Sequence, residues 1–177
     1  MKIGFTTLGC PNWDLQQIIS SAKSLGYDGI DFRGYLNEIE LFNTAEFTSL
    51  IYETRNLIEE NGLEVSALSA SVRVLCKSEQ ERLKHIDNLK RYIEIADELA
   101  CPFIRIFGGY FEGKPYEKAL KIATENVKNM IRCLSGSKVN LLIETHDDWI
   151  ETFKLKNLLE NVGSERFFAL WDLHHPY

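Results

Sequence analysis

The sequence predicts an α/β protein built as part of a (β/α)8 barrel. Short apolar runs alternate with amphipathic helical stretches about every 30 to 40 residues, the rhythm of repeated βαβ units. Carboxylates end two of the apolar runs, at the strand ends where active sites of parallel α/β folds sit. The first strand–helix turn, Leu8-Gly9-Cys10-Pro11-Asn12, is not a G-x-G-x-x-G phosphate loop, and no other turn is.

Each element has a local signal. Lys2–Thr7 reads as the first strand. Asp14 caps a helix whose apolar stripe is Leu15, Ile18, Ile19, Ala22 and Leu25, stopped by Gly26. The second strand is Gly29–Arg33. Asn43 and Glu46 have capping-box spacing and open a second helix that buries Phe47, Leu50, Ile51, Leu57 and Ile58 before Gly62. Glu64–Ser69 is the third strand. Ser78 and Glu81 repeat the capping spacing ahead of a long helix with Leu83, Ile86, Leu89, Ile93, Ala96 and Ala100 on one face. The fourth strand, Phe103–Phe107, ends at Gly108-Gly109, and Pro115 starts a helix running through Ala119, Ala123, Val127, Met130, Ile131 and Leu134. Val139–Thr145 is the fifth strand, a short helix near Thr152–Val162 stops at Gly163, and Phe168–Asp172 is the sixth strand.

That makes six strands and five helices in 177 residues, with no linker or low-complexity stretch. A (β/α)8 barrel takes about 250 residues. The expectation is therefore one partial barrel domain over residues 1–177, truncated after strand six. An open doubly wound sheet is the alternative and needs no missing part.

The net charge of −6 disfavours a broad electrostatic grip on nucleic acid. Four scattered cysteines without a C-x-x-C pair fit reduced thiols in a cytoplasmic protein. No secretory leader and no uninterrupted membrane-length apolar run is found, so no membrane partner is expected.

Candidate chemistry gathers at two strand ends. Glu144 ends Leu141-Leu142-Ile143 and is followed by Thr145-His146; Asp172 ends Phe168-Ala169-Leu170-Trp171 and is followed by Leu173-His174-His175. A charge ending a buried strand is costly unless it is paired or binds a metal. On neighbouring barrel strands, inward-facing Glu144 and Asp172 would share one divalent cation. Carboxylate with imidazole suits Mn, Zn, Co, Fe or Mg. His175 would reach the same cavity, whereas His174 is expected to point elsewhere. The bland reading is a pair of helix-capping or arginine-paired carboxylates.

Arg33, Arg73 and Arg105 fall at or near strands two, three and four, where each needs a polar cavity or a carboxylate. Substrate and Glu144 are competing partners for Arg105. His85, inside the third helix, reads as a surface or packing residue. Trp13, Phe111 and Trp149 fall in strand–helix loops, as sugar-pocket walls or simple loop packing.

Gly26-Tyr27-Asp28-Gly29-Ile30-Asp31, Ala96-Asp97-Glu98-Leu99-Ala100-Cys101-Pro102, Glu144-Thr145-His146 and Trp171-Asp172-Leu173-His174-His175 together resemble the xylose-isomerase-like TIM barrels. That superfamily holds sugar-phosphate isomerases and epimerases and the family-2 AP endonucleases. The resemblance implies that Glu144 and Asp172 are metal ligands, with Glu144 also moving a proton. It implies that His175 contacts substrate, as in the epimerases, or metal, as in the endonucleases; from their places at the strand ends His146, Arg33 and Arg105 are further candidate substrate contacts. The implied activity is a divalent-metal isomerase or epimerase of a sugar or sugar phosphate, acting by enediolate proton transfer. The family completes its site with a histidine from strand seven and a glutamate from strand eight, and these 177 residues stop before both. The expectation is an inactive chain, with uncovered strand edges that either self-associate or leave a marginal monomer. The competing readings are a metal-dependent nuclease acting at abasic DNA sites and a non-catalytic barrel fragment. Strands three and four lack the histidines of the endonuclease branch, which weighs against the nuclease.

Overall fold

The structure is a computed structural model and describes residues 1–174. Among the described residues it contains β1 (Gly4–Thr6), α1 (Leu15–Leu25), β2 (Gly29–Phe32), α2 (Ile51–Glu60), β3 (Glu64–Arg73), α3 (Glu79–Glu98), β4 (Phe103–Phe107), α4 (Tyr116–Cys133), β5 (Asn140–Glu144), α5 (Thr152–Val162) and β6 (Phe167–Leu170). The six strands lie in one sheet in the order β1-β2-β3-β4-β5-β6. Strand β1 pairs parallel with β2, β2 with β3, and β5 with β6. Sequential parallel order, with a helix between successive strands, is that of the first six β/α units of a TIM barrel. A doubly wound sheet would reverse its order at a switch point, and this one does not.

The chain packs as two compact units. The first comprises Met1–Ala70 and Arg91–Ile104. Its core holds Ile18, Ile30, Phe32, Phe47, Ile58 and Leu68, all buried. Helix α1 starts as its sequence dictates. The Asp14 carboxylate accepts from the Gln17 N–H at 2.8 Å, and the Gln17 side chain accepts from the Asp14 N–H at 3.1 Å. Gly26 ends the helix at φ 75°, a left-handed conformation that costs glycine nothing.

The second helix departs from expectation. Residues 41–43 form a 3-10 turn, and α2 begins only at Ile51 with no side-chain cap. Glu46 does not fold back on Asn43: its carboxylate accepts from the Tyr35 hydroxyl at 3.4 Å, and its carbonyl accepts from Thr54 Oγ1 at 2.7 Å. Phe47 is fully buried, edge-on to Phe32 and Tyr35. Burying that ring holds residues 44–50 in turns, and Leu50, expected inside, is exposed. Strand β3 also runs on to Arg73, beyond the expected end at Ser69, and Arg73 is exposed.

The second unit comprises Ser71–Lys90 and the chain from Arg105 onward. Helix α4 buries Ala119, Ala123, Val127 and Met130, and its Asn126 side chain donates to the Val74 carbonyl at 2.9 Å. Helix α5 buries Leu155, Leu158 and Val162 and stops at Gly163 with φ 61°, as its sequence requires. Glu144 pairs in register with Leu170, so β6 ends level with β5. The expected sixth strand therefore starts one residue earlier and stops short of Asp172. Among the described residues no helix is long and apolar enough to cross a membrane.

His85 on α3 is buried, and neither ring nitrogen has a hydrogen-bond partner among the described residues. Glu81 Oε1 lies 3.7 Å away. Burial pushes the imidazole below its ordinary 6.5, with Glu81 opposing. The folded state thus resists taking up a proton that the unfolded chain accepts. Its contribution to stability is full above 6.5 and is lost as pH falls through the lowered pKa. Denaturant midpoints across this range should fall for the wild type and stay flatter for His85→Leu. Parallel curves would show that His85 does not drive the effect.

Candidate active site

The site is built from the ends of β4, β5 and β6 in the second unit. Glu144 is the last residue of β5 and is 9% exposed, a carboxylate carried inside by the apolar strand beneath it. Arg105, in the middle of β4, is 8% exposed. Its Nε lies 3.2 Å from Glu144 Oε2, and its guanidinium stacks 4.0 Å over the Phe107 ring. The pair is ionic without being aligned as a hydrogen bond, so Glu144 Oε2 has no hydrogen-bond donor among the described residues.

Asp172 lies two residues past β6 and is tied to β5 by its backbone. Its N–H donates to Thr145 Oγ1 at 2.9 Å, and Thr145 Oγ1 donates to its carbonyl at 3.3 Å. Its Oδ1 accepts the His174 N–H at 2.7 Å. This backbone anchoring, rather than strand alternation, brings the Asp172 carboxyl beside Glu144. Burial pushes the Glu144 carboxyl above its ordinary 4.5; Arg105 and His146 pull it down, and the hydrogen-bonded charge of Asp172 pushes it up.

His146 sits just beyond β5, with extended backbone, at the head of the 3-10 turn Asp147–Trp149. Its Nδ1 is 2.8 Å from Asp147 Oδ1, and its ring is edge-on to Phe107 at 4.8 Å. Asp147 takes the left-handed conformation at φ 53°, one that few side chains but Asn and Asp adopt. Asp147 Oδ2 accepts the Gly109 N–H at 3.1 Å, and Asp148 Oδ2 accepts the Phe111 N–H at 2.6 Å. Two successive aspartates therefore staple the loop after β4 to the loop after β5. Beneath them Trp149 is fully buried, edge-on to Phe111 at 5.3 Å, and so close to Gly108 that a Cβ there would lie 2.1 Å from its Cδ1. Trp149, fully buried, is loop packing, and the half-buried Phe111 lies against it.

The structure brings Glu144, Asp172, Arg105 and His146 together. Arg33 lies in the first unit, where its N–H donates to Thr7 Oγ1 at 2.9 Å and its buried Nη1 has no hydrogen-bond partner among the described residues. The Tyr92 hydroxyl of that unit donates to Glu40 Oε2 at 3.1 Å, with Arg33 close enough to offset part of the rise in the Tyr92 pKa. His175 lies outside the described residues. Asp147 and Asp148 were missed from the sequence. An Asp-Asp pair directly after a strand-ending E-T-H is the signal that could have drawn attention to them.

Two adjacent carboxylates with an undonated oxygen fit a divalent ion as two of its oxygen ligands, because a cation offsets the burial that chiefly raises Glu144 and the smaller push from Asp172. Among the described residues no group of three or more His, Cys, Asp and Glu is arranged to hold one.

The xylose isomerase-like TIM barrel family matches residues 19–177. No curated protein sequence matches the chain significantly. Among solved structures, the IOLI protein with a bound zinc atom superposes with a TM-score of 0.86 at 17% identity, over 100% of this chain and 64% of that one. The probable 3-DHS dehydratase AsbF from Bacillus anthracis gives 0.82 at 17%, over 99% and 64%. The 3-keto-D-glucoside 4-epimerase YcjR from E. coli, in its apo form, gives 0.80 at 14%, over 99% and 69%. At these identities the likeness is one of fold. The chain spans just under two thirds of the first two structures.

Proposed function

Because the chain belongs to the xylose isomerase-like TIM barrels, we propose that its site serves the isomerisation or epimerisation of a sugar or sugar phosphate by proton transfer next to a carbonyl. One observation carries the reading: a buried carboxylate, Glu144, held above its ordinary pKa beside a second carboxylate, Asp172. A base for such a proton works best with its pKa moved toward neutrality, and burial moves Glu144 that way. Glu144 and Asp172 would hold a divalent metal (Mn, Zn, Co, Fe or Mg), which would polarise the substrate carbonyl when bound. Arg105 keeps Glu144 in place and partly charged. His146 and His175 take substrate hydroxyls. The reading includes a single domain over 1–177, supported by a family match that runs through both units. It also includes a cytoplasmic location, supported by four free cysteines.

Titration of the 177-residue polypeptide with Mn²⁺ or Co²⁺ tests the site. We expect weak binding, lost in Glu144→Gln and in Asp172→Asn. We expect no turnover of a ketose panel unless the polypeptide is extended to the length of its structural relatives. Metal binding that survives both substitutions would overturn the assignment. Tight binding to an abasic-site duplex at physiological salt would favour the nuclease instead.

A further inference from the structure

Asp147 is held more completely than loop packing needs. Its side chain is 3% exposed, and its two oxygens are committed in opposite directions, Oδ1 to His146 Nδ1 at 2.8 Å and Oδ2 to the buried Gly109 N–H at 3.1 Å. The Tyr110 hydroxyl is a third partner, and its pKa is raised chiefly by its hydrogen bond to Asp147. A backbone N–H can only donate, so Oδ2 is fixed as an acceptor. An ionised carboxylate is acceptor-only on its other oxygen as well. Against Oδ1, the neutral imidazole must then carry its proton on Nδ1, and Nε2 must be the acceptor nitrogen.

From this geometry we infer that Asp147 is a positioning residue that fixes the tautomer and plane of His146, so that Nε2 is presented as an acceptor for a substrate hydroxyl. The Phe107 ring, edge-on at 4.8 Å, supports the imidazole from the side. The hydroxyl rests on the isomerase reading above, whereas the tautomer does not.

The decisive variant is Asp147→Asn, which keeps the shape and tolerates the left-handed backbone at φ 53°. The Gly109 N–H still demands an acceptor, so the amide oxygen must face Gly109 and the NH2 must face His146. Nδ1 then has to accept, and the proton moves to Nε2. The test is nitrogen-15 NMR of imidazole-labelled 177-residue protein, on the alkaline side of the histidine range where the ring is neutral. His146 should be assigned by comparison with His146→Gln. We expect the wild type to be protonated at Nδ1 and Asp147→Asn at Nε2, with the backbone amide spectrum otherwise retained. A staple acting only on the loop would leave the tautomer unmoved. A wild-type His146 protonated at Nε2 would overturn the inference without any variant, and so would an unchanged tautomer in a folded Asp147→Asn. The measurement uses no substrate, so it stands or falls apart from the isomerase reading.

Discussion

Replacing Arg105 with methionine should destabilise the protein by about 3 to 5 kcal/mol at neutral pH, the cost of leaving one member of a buried ion pair unpaired. Both side chains are about nine-tenths buried, at 10% and 11% exposed, so little solvent screening reduces the figure. The long apolar stem of methionine keeps the contact with Phe107, so most of the loss is electrostatic. Glu144 would then face Asp172 with no guanidinium beside it. Its carboxyl already titrates above 4.5, so the stability it contributes is full below that value and is lost as pH rises through the raised pKa. Without Arg105 the pKa rises further, and the penalty should be small in acid, where Glu144 is protonated, and grow toward neutrality. Urea unfolding of Arg105→Met across that range checks the slope. Adding Glu144→Leu should recover most of the loss, because the charge that needed a partner is gone. A penalty independent of pH, or a double variant as unstable as the single one, would show that Arg105 stabilises by packing alone.

Gly108→Ala should cost about 3 kcal/mol or more, at the upper end of overpacking effects. A Cβ there would lie 2.1 Å from Trp149 Cδ1 and 2.6 Å from its Cγ and Nε1. Trp149 is fully buried with Phe111 against it, so the indole cannot swing aside. The clash is with the ring and not with a left-handed backbone, so the remedy is spatial. Trp149→Leu removes the obstacle at the cost of a cavity. In that background, adding Gly108→Ala should cost almost nothing, which thermal or urea midpoints of the four proteins would show. The loops after β4 and β5 meet at this contact, so the variant should also disturb the His146–Asp147 pair above it. If Gly108→Ala is as stable as the wild type, the close approach of indole and backbone is wrong.

The order of the elements was legible because its signals are local. Asp14 as the cap of the first helix, and Gly26 and Gly163 at left-handed helix ends, act within one turn of chain, and the structure repeats them. The apolar run ending at Glu144 likewise needs only its own residues to read as a buried strand with a charge at its tip. Where the sequence reading failed, a distant partner decided the outcome. Glu46 has the spacing of a cap but serves Tyr35, because burying Phe47 outweighs one capping bond. Asp172 reads as the end of a strand, yet it reaches Glu144 through the bonds of its backbone to the Thr145 hydroxyl after β6 has stopped. Arg105 could have faced substrate or carboxylate on the sequence alone, and the neighbouring strand, which no local pattern encodes, set it against Glu144. The bond from the Gly109 N–H to Asp147 joins residues 38 apart on two loops. Spacing along the chain carries one-turn chemistry, but which side chain neutralises a buried charge depends on the contacts made when strands and loops pack. The sequence determined the alternating strands and helices and the charged tip of β5, and only the tertiary structure decided which groups surround that charge.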